Sequence, residues 1–371
     1  MMRRYLFVNE NIAGHRTVHA NLEAVFRGRT DVQVDFLHVP AATGLRRLTS
    51  ARVPPLDRWD ADLQPLRAQL LAADWVRRRL SQVVSAYDAV HFYTHNAALL
   101  STELMATTPC VVSSDSTNLL NASRIHGRTP SAFTPHAAAL ARRVEIPVYR
   151  NARRLTPSSQ WVATSLLDDY QVDPARITVN PMGIRVPQVA PPQPHEGRLR
   201  IGFIGNPFER KGGEWLLDLH RTIWRDRADL VLVTTSHVTA GEGIEVISDL
   251  TGGDPRVWNI LGSCDVFAFP SAIDQAPNAV LEAMAAWLPV VALDVGAISE
   301  MVVDGHNGYT CAAGDKAGFG EAVSRLLDDP GLRERMGHAG RERVVATYNM
   351  ATSADQLLDI LDDACWEPAG K

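Results

Sequence analysis

Two carboxylates, Asp274 and Glu282, flank the tetrapeptide Ala276-Pro277-Asn278-Ala279 in the run Pro270 to Met284, which reads PSAIDQAPNAVLEAM. Val280, Leu281, Met284 and Leu288 recur on one helical face, so a helix is predicted over about 277–287. Asp274 then lies in the loop ahead of the helix, where a carboxylate can reach a sugar. Glu282 lies within it, away from much of the apolar stripe, where it can accept two hydroxyl hydrogen bonds from a ribose diol. The bland alternative makes Glu282 an ordinary surface residue. The first-turn amides of Asn278 and Ala279 would face a diphosphate, an anion favoured by the helix dipole.

A second candidate is the loop Gly205-Asn206-Pro207-Phe208-Glu209-Arg210-Lys211-Gly212-Gly213, between an apolar run and a helix that begins near Glu214. A glycine-rich turn at a helix start presents unpaired N–H groups to an anion. Lys211 is conspicuous because the only other lysines are Lys316 and Lys371, in a chain that otherwise uses Arg. A compact, flexible ammonium suits a phosphate-type loop; a solvated turn with two incidental charges is the alternative.

Other patterns carry less. His91 and His95 are four apart, but Ala89 to Phe92 reads as a strand, so they do not share a metal-binding face; His95, at the strand's carboxyl end, is the better cleft residue. Asp60-Ala61-Asp62 matches the DxD triplet of metal-dependent transferases, yet it opens a predicted helix, and capping accounts for it better. Cys110, Cys264, Cys311 and Cys365 are scattered without a CxxC pair, which argues for neither zinc nor a disulfide framework and fits a reducing cytoplasm. Met1-Met2-Arg3-Arg4 leads straight into Tyr5 to Val8, too short an apolar run for a signal peptide or a membrane span.

These residues need elements to hold them. Predicted strands cover Tyr5 to Asn9, Val32 to Val39, Ala89 to Phe92, Cys110 to Ser113, Arg154 to Pro157 and Ile177 to Asn180, with helical patterns such as Asp62 to Val84 and Ser159 to Tyr170 between them. A Pro-rich stretch follows, and 185–198 is read as a linker. A second series has strands at Leu199 to Ile204, Leu230 to Thr234, Val266 to Phe269 and Val290 to Leu293, then helices over Gly318 to Leu327 and Gly331 to Thr347. The expected architecture is α/β: domain 1–184, linker 185–198, domain 199–347, and a last helix over 348–371 returning to the first domain. Ligands of such sheets sit at strand carboxyl ends, so a cleft between the domains is expected.

A length of 371 residues suits two such domains. Net charge is -5, against nucleic-acid binding, but it is unevenly spread. Residues 1–190 hold 22 Arg and 15 acids, while the remainder holds 15 basic and 27 acidic residues. The clusters Arg46-Arg47, Arg77-Arg78-Arg79, Arg142-Arg143 and Arg153-Arg154 fall in the basic half. Solvated helix faces explain most such runs, and their excess is compatible with an anionic acceptor or contact with an acidic membrane surface.

The stretch Pro270 to Met284 resembles the E-x7-E region of retaining glycosyltransferase family 4. Gly205 to Gly212 looks like that family's donor-phosphate loop. Leu155-Thr156-Pro157-Ser158-Ser159, Val179-Asn180-Pro181-Met182-Gly183-Ile184, Pro289-Val290-Val291-Ala292, Gly296 to Glu300 and Asp304 to Tyr309 look like neighbouring segments, so the match runs from about 155 to 350. The resemblance implies a GT-B fold, two Rossmann-like domains whose parallel sheets face across a cleft. It also implies transfer of a hexosyl or aminohexosyl group from a UDP- or GDP-sugar to a small-molecule, polysaccharide or lipid-linked acceptor, with retained configuration. Lys211, with Arg210 beside it, would carry charge on the leaving diphosphate without a metal or other cofactor; Asp274 would hold the sugar, Glu282 the ribose, and Gly205, Ala276, Pro277, Asn278 and Ala279 would line the donor. Residues 256–261 would pass near the base. Gly14-His15 resembles the family's N-terminal glycine loop, or is a plain turn.

The departures are Asp274 for Glu, Trp287 for Gly, Asn206 for Arg, and Ser114 where many members place a His near the reacting sugar; Asp115 or His95 would serve in its place. The departures at Asp274, Trp287 and Ser114 sustain a second reading, an inactive nucleotide-sugar-binding partner protein. A dinucleotide-dependent dehydrogenase is disfavoured, because Asn9 to Gly14 lacks GxGxxG. A cytoplasmic protein, transiently peripheral at the inner membrane face, completes the expectation.

Overall fold

The computed structural model describes residues 2–10, 15–122, 131–191 and 197–366. Gly14 and part of the linker, 192–196, lie outside them, as do the last five residues. The chain forms two compact units, one of Met1–Met182 with Ala351–Lys371 and one of Gly183–Met350.

The first unit is built on five parallel strands in the order β2-β1-β3-β4-β5. These are β1 (Arg3–Glu10), β2 (Val32–Val39), β3 (Ala89–Phe92), β4 (Cys110–Ser114) and β5 (Arg154–Pro157). The central strands are apolar runs because helices cover both faces of a parallel sheet; β3 and β4 are buried throughout. Ile177 to Asn180 is not a strand. It makes one isolated bridge, Ile177 with Leu155, after the short helical turn Pro174–Arg176. The helix Met350–Trp366 packs into this unit through Ala354, Leu358, Leu361 and Ala364.

The second unit has six parallel strands in the order β11-β10-β9-β6-β7-β8. They are β6 (Leu199–Ile204), β7 (Ala228–Val233), β8 (Ile244–Ile247), β9 (Val266–Phe269), β10 (Val290–Leu293) and β11 (Gly308–Cys311). The edge strands β8 and β11 escape the sequence pattern because edges are half-exposed and need no continuous apolar run. This order is the doubly wound dinucleotide-binding one, and it reverses between β6 and β9. In sheets of this order the connections at the reversal run to opposite faces, and ligands are expected at the carboxyl ends of the two strands there. In the first sheet the reversal falls between β1 and β3.

Candidate functional site

In the second unit, the loop after β6 carries Lys211 and the loop after β9 carries Asp274. The Lys211 ammonium donates to both carboxylate oxygens of Asp274, at 2.7 and 2.6 Å. Ser271 Oγ donates to Asp274 Oδ2 at 2.7 Å, and Lys211 Nζ stands 5.5 Å from the centre of the Phe269 ring. Burial pulls the ammonium below its usual pKa, with Asp274 opposing. Residues assigned separately to phosphate and sugar therefore pair with each other.

Arg210 ties the two loops together, donating from Nη2 to Asn206 O at 3.0 Å and from Nη1 to Ile273 O at 3.4 Å. Asn206 is structural: its Oδ1 accepts from Thr234 Oγ1 at 2.8 Å and from Thr235 N at 2.7 Å, fixing the loop to the end of β7. Gly212 has φ +78°, and a Cβ there would lie 2.1 Å from Pro270 O, so only glycine allows the loops to meet. Gly205 also packs closely, since a Cβ on it would meet Lys211 Cβ at 2.9 Å.

The helix after the second loop runs Asn278–Ala285, with Pro277 as an N-cap that offers no side-chain cap. The amides of Asn278 and Ala279 have no partner among the described residues. Ala276 and Ala279 pack against the core, so small side chains leave the helix start open. Glu282 is half-buried and has no side-chain partner among the described residues; burial pushes its carboxyl up to about 7. It is thus no ordinary surface glutamate, because an isolated desolvated carboxyl lacks the donors that would favour its charge.

Trp287 occupies the turn before β10 with φ +65°, a conformation that favours glycine. Its indole donates to Val189 O at 3.0 Å, and Arg341 lies 5.4 Å from its ring centre. Those contacts fasten the start of the linker to this unit. Arg256 is held by Asp249 at 2.7 Å and Asp254 at 2.8 Å, so the segment expected near the base begins on an exposed ion-pair cluster.

In the first unit, Asp115 ends β4 and meets His15, which starts the helix His15–Arg27. His15 Nε2 is 3.0 Å from Asp115 Oδ2, and Nδ1 is 3.6 Å from Glu10 at the end of β1. Desolvation alone would lower its pKa, but the Asp115 and Glu10 carboxyl groups outweigh it and raise it to about 10, which favours the imidazolium at neutral pH. Tyr93, just past β3, packs edge-on to His15 with ring centres 5.2 Å apart. Buried Asn9, Thr94 Oγ1 and Ser158 Oγ, at the ends of β1, β3 and β5, have side-chain atoms without hydrogen-bond partners. Such groups are costly unless a ligand or water meets them.

His95 is placed differently. It is 2% exposed, with Nε2 2.9 Å from Glu145, whose carboxylate also accepts from Asn118 N at 2.9 Å, Tyr149 Oη at 3.2 Å and Tyr170 Oη. Burial would lower the His95 pKa, but Glu145 raises it. Sequence reasoning missed Glu10, His15 and Glu145 as partners; the adjacency of β1, β3 and β4 brings the ends bearing Glu10, His95 and Asp115 together, and the helix Thr134–Asn151 brings Glu145 to His95. His91 bonds Ser113 at 2.7 Å. In the DxD triplet, Asp62 accepts from Gln64 N at 3.2 Å and Val53 N at 3.1 Å, and Asp60 accepts from Thr134 Oγ1. Among the described residues no cluster of three or more His, Cys, Asp or Glu could hold a metal ion.

Residues 198–329 match the family described as Glycosyl transferases group 1. The alpha-maltose-1-phosphate synthase of Mycobacterium tuberculosis is 40% identical over 146 residues, 37% of each chain; the present chain thus spans well under half of that relative. Sucrose-phosphate synthase from Thermosynechococcus elongatus superposes with a TM-score of 0.73 at 15% identity, covering 97% of this chain and 98% of the other. HepE of Anabaena, solved with UDP-glucose, gives 0.68 at 14% identity over 97% and 99%. The fold is GT-B, two Rossmann-like domains each with a parallel sheet, and the match to the group 1 glycosyltransferase family falls within the second unit.

Proposed function

We propose that this protein is a retaining, family 4-type glycosyltransferase that moves a hexosyl or aminohexosyl group from a UDP- or GDP-sugar to a small-molecule, polysaccharide or lipid-linked acceptor. One observation carries the reading. On the loop and helix that follow β9, and the loop that follows β6, lie a nearly buried Lys211–Asp274 pair, two helix-start amides and a Glu282 carboxyl that have no partner among the described residues. The UDP-glucose bound to HepE and the group 1 match support a nucleotide-sugar donor.

In this reading the diphosphate lies at the amides of Asn278 and Ala279, near Gly205 and Arg210, and draws Lys211 away from Asp274. Lys211 neutralises charge developing on the leaving oxygen, the preorganised electrostatic help that dominates transfer chemistry. Released from the ammonium, Asp274 accepts hydroxyl hydrogen bonds from the sugar, and Glu282 accepts the ribose diol, with Ala276 and Pro277 lining the approach. The first unit handles the acceptor, with Asp115, set by His15, as its polar contact; His95 supports the wall through Glu145. No metal is needed where a lysine and helix amides carry the diphosphate charge. Four free cysteines suit work in the cytoplasm.

The second reading, a nucleotide-sugar-binding subunit without turnover, draws on the same pair, because Asp274 neutralises the cation the chemistry needs. Thermal shifts with UDP, GDP, ADP and their sugar conjugates, followed by product analysis, separate the two. Stabilisation by one nucleotide family with release of free nucleotide in the presence of acceptors is expected. Stabilisation with no sugar released under any condition selects the subunit, and no shift with any nucleotide overturns both.

A further inference from the structure

The segment between β2 and the helix Gln64–Val83 concentrates large apolar side chains at the surface. Leu45 and Leu48 are 76% and 74% exposed and Trp59 is 57% exposed, with Val53 and Leu56 also outward. Leu45 and Leu48, three apart on the helix Gly44–Thr49, share a face. Interleaved with them are Arg46, Arg47, Arg52 and Arg58, against Asp57 as the sole acid in residues 40–59.

This exposure is not that of a loose loop, because the backbone is fastened from behind. Arg67 donates to Ala51 O at 2.8 Å and Asp62 O at 2.7 Å, and Gln64 donates to Ser50 O at 3.0 Å. Val53 N donates to the buried Asp62 carboxylate at 3.1 Å, and Ser131 Oγ holds Trp59 O at 2.6 Å. In the other Arg runs, Arg77 and Arg78 pair on the surface with Asp74 at 2.7 and 2.8 Å, Arg142 donates to Asp169 O, and Arg153 to Ala364 O; within the present segment Arg46 donates to Pro40 O. A fixed surface of leucines and a tryptophan among arginines has the composition of an interfacial membrane anchor.

We propose that residues 43–59 dock this protein on an anionic lipid surface, with Leu45, Leu48 and Trp59 entering the headgroup layer and the arginines pairing with lipid phosphates. Charge complementarity selects lipid over a second copy, since each added arginine strengthens attraction to anionic headgroups and repels the same basic patch on another molecule. The charge asymmetry of the chain acts in the same sense: an anionic surface attracts residues 1–190 and repels the acidic remainder. The inference goes beyond the proposed reaction and does not depend on it, because docking is read without turnover.

The test is co-sedimentation of the full chain with phosphatidylcholine vesicles and with vesicles in which phosphatidylglycerol replaces part of the phosphatidylcholine. Binding to the anionic vesicles only, weakened by salt, is expected. Leu45→Glu/Leu48→Glu should lower partitioning by about tenfold or more, and Trp59→Phe should remove the fluorescence quenching that brominated lipid gives. Arg47→Glu/Arg58→Glu provides an independent surface variant, and unchanged melting curves confirm that all variants fold. Three outcomes overturn the proposal: no anionic selectivity, wild-type binding by both double variants, or a vesicle-independent dimer that the leucine variant abolishes.

Discussion

At the scale of single residues, the Lys211–Asp274 contact is the point on which the proposed donor site turns. If a nucleotide phosphate binds Lys211 as proposed, it must displace Asp274 to reach the ammonium, so the pair lowers apparent nucleotide affinity by the fraction of molecules in which Lys211 is free. Asp274→Asn should therefore tighten nucleoside-diphosphate binding by about tenfold while reducing sugar transfer. Calorimetric titration against initial-rate measurement checks both, and weaker binding by the variant would sink the displacement idea. Glu282 supplies a pH signature. Its folded pKa of about 7 lies above the ordinary glutamate value of 4.5, so the free protein holds a proton between those values, and hydroxyl donors that favour the carboxylate expel it. Nucleotide binding should release a proton near neutral pH and tighten as pH rises through 7, and Glu282→Gln should abolish that release when buffers of different ionisation enthalpy are compared. His15 works with the opposite sign of charge. Its folded pKa of about 10 exceeds 6.5, so its contribution to stability is complete below 6.5 and is lost as pH rises through 10. Melting curves of His15→Gln should lack that alkaline loss and should lie below wild type by about 3 kcal/mol near neutrality, because Glu10 is left buried beside Asp115.

At the scale of elements, the proposed donor site is assembled by two loops because β6 and β9, which they leave, are neighbours in the sheet. The backbone conformations there are demanding. Gly296 has φ +61°, and a Cβ on it would lie 2.3 Å from Asp274 O, so this turn sets the height of the loop that bears Asp274. Trp287 takes a similar conformation without being glycine, and its strain, about 1–3 kcal/mol for such residues, is offset by the Val189 and Arg341 contacts. Trp287→Ala keeps the strain and loses the contacts, for a loss of about 2 kcal/mol. Trp287→Gly should be more stable than Trp287→Ala by about 1 kcal/mol, since glycine accepts positive φ freely; denaturant unfolding that ranks Ala above Gly would show that the turn is not strained.

At the scale of the whole molecule, each unit carries its own apolar core, and the chain returns at residue 351 to complete the first one. Ser353 Oγ donates to Pro181 O at 2.7 Å, and the helix Met350–Trp366 buries Leu357, Leu358, Ile360 and Leu361. Removing residues 351–371 should lower the melting temperature of the first unit by about 10 °C or more and leave the nucleotide-dependent shift of the second; scanning calorimetry with and without nucleotide resolves the two. Much of this was legible in advance. The apolar runs at Ala89 to Phe92, Val266 to Phe269 and Val290 to Leu293 are buried on both faces, so burial wrote itself into their composition. The Gly205 to Gly213 loop and the Asp274 to Glu282 spacing were visible because backbone closeness and helix starts demand particular residue types. The edge strands β8 and β11 were not, since half-exposed strands accept mixed composition. Nor could one chain order reveal that Lys211 pairs with Asp274, that His95 is spent on Glu145, or that Trp287 sits at positive φ. The sequence determined the element types and the chemistry on offer, because those follow from local periodicity and side-chain identity. Which of those groups are free was decided only by tertiary structure, since pairing depends on which strands become neighbours.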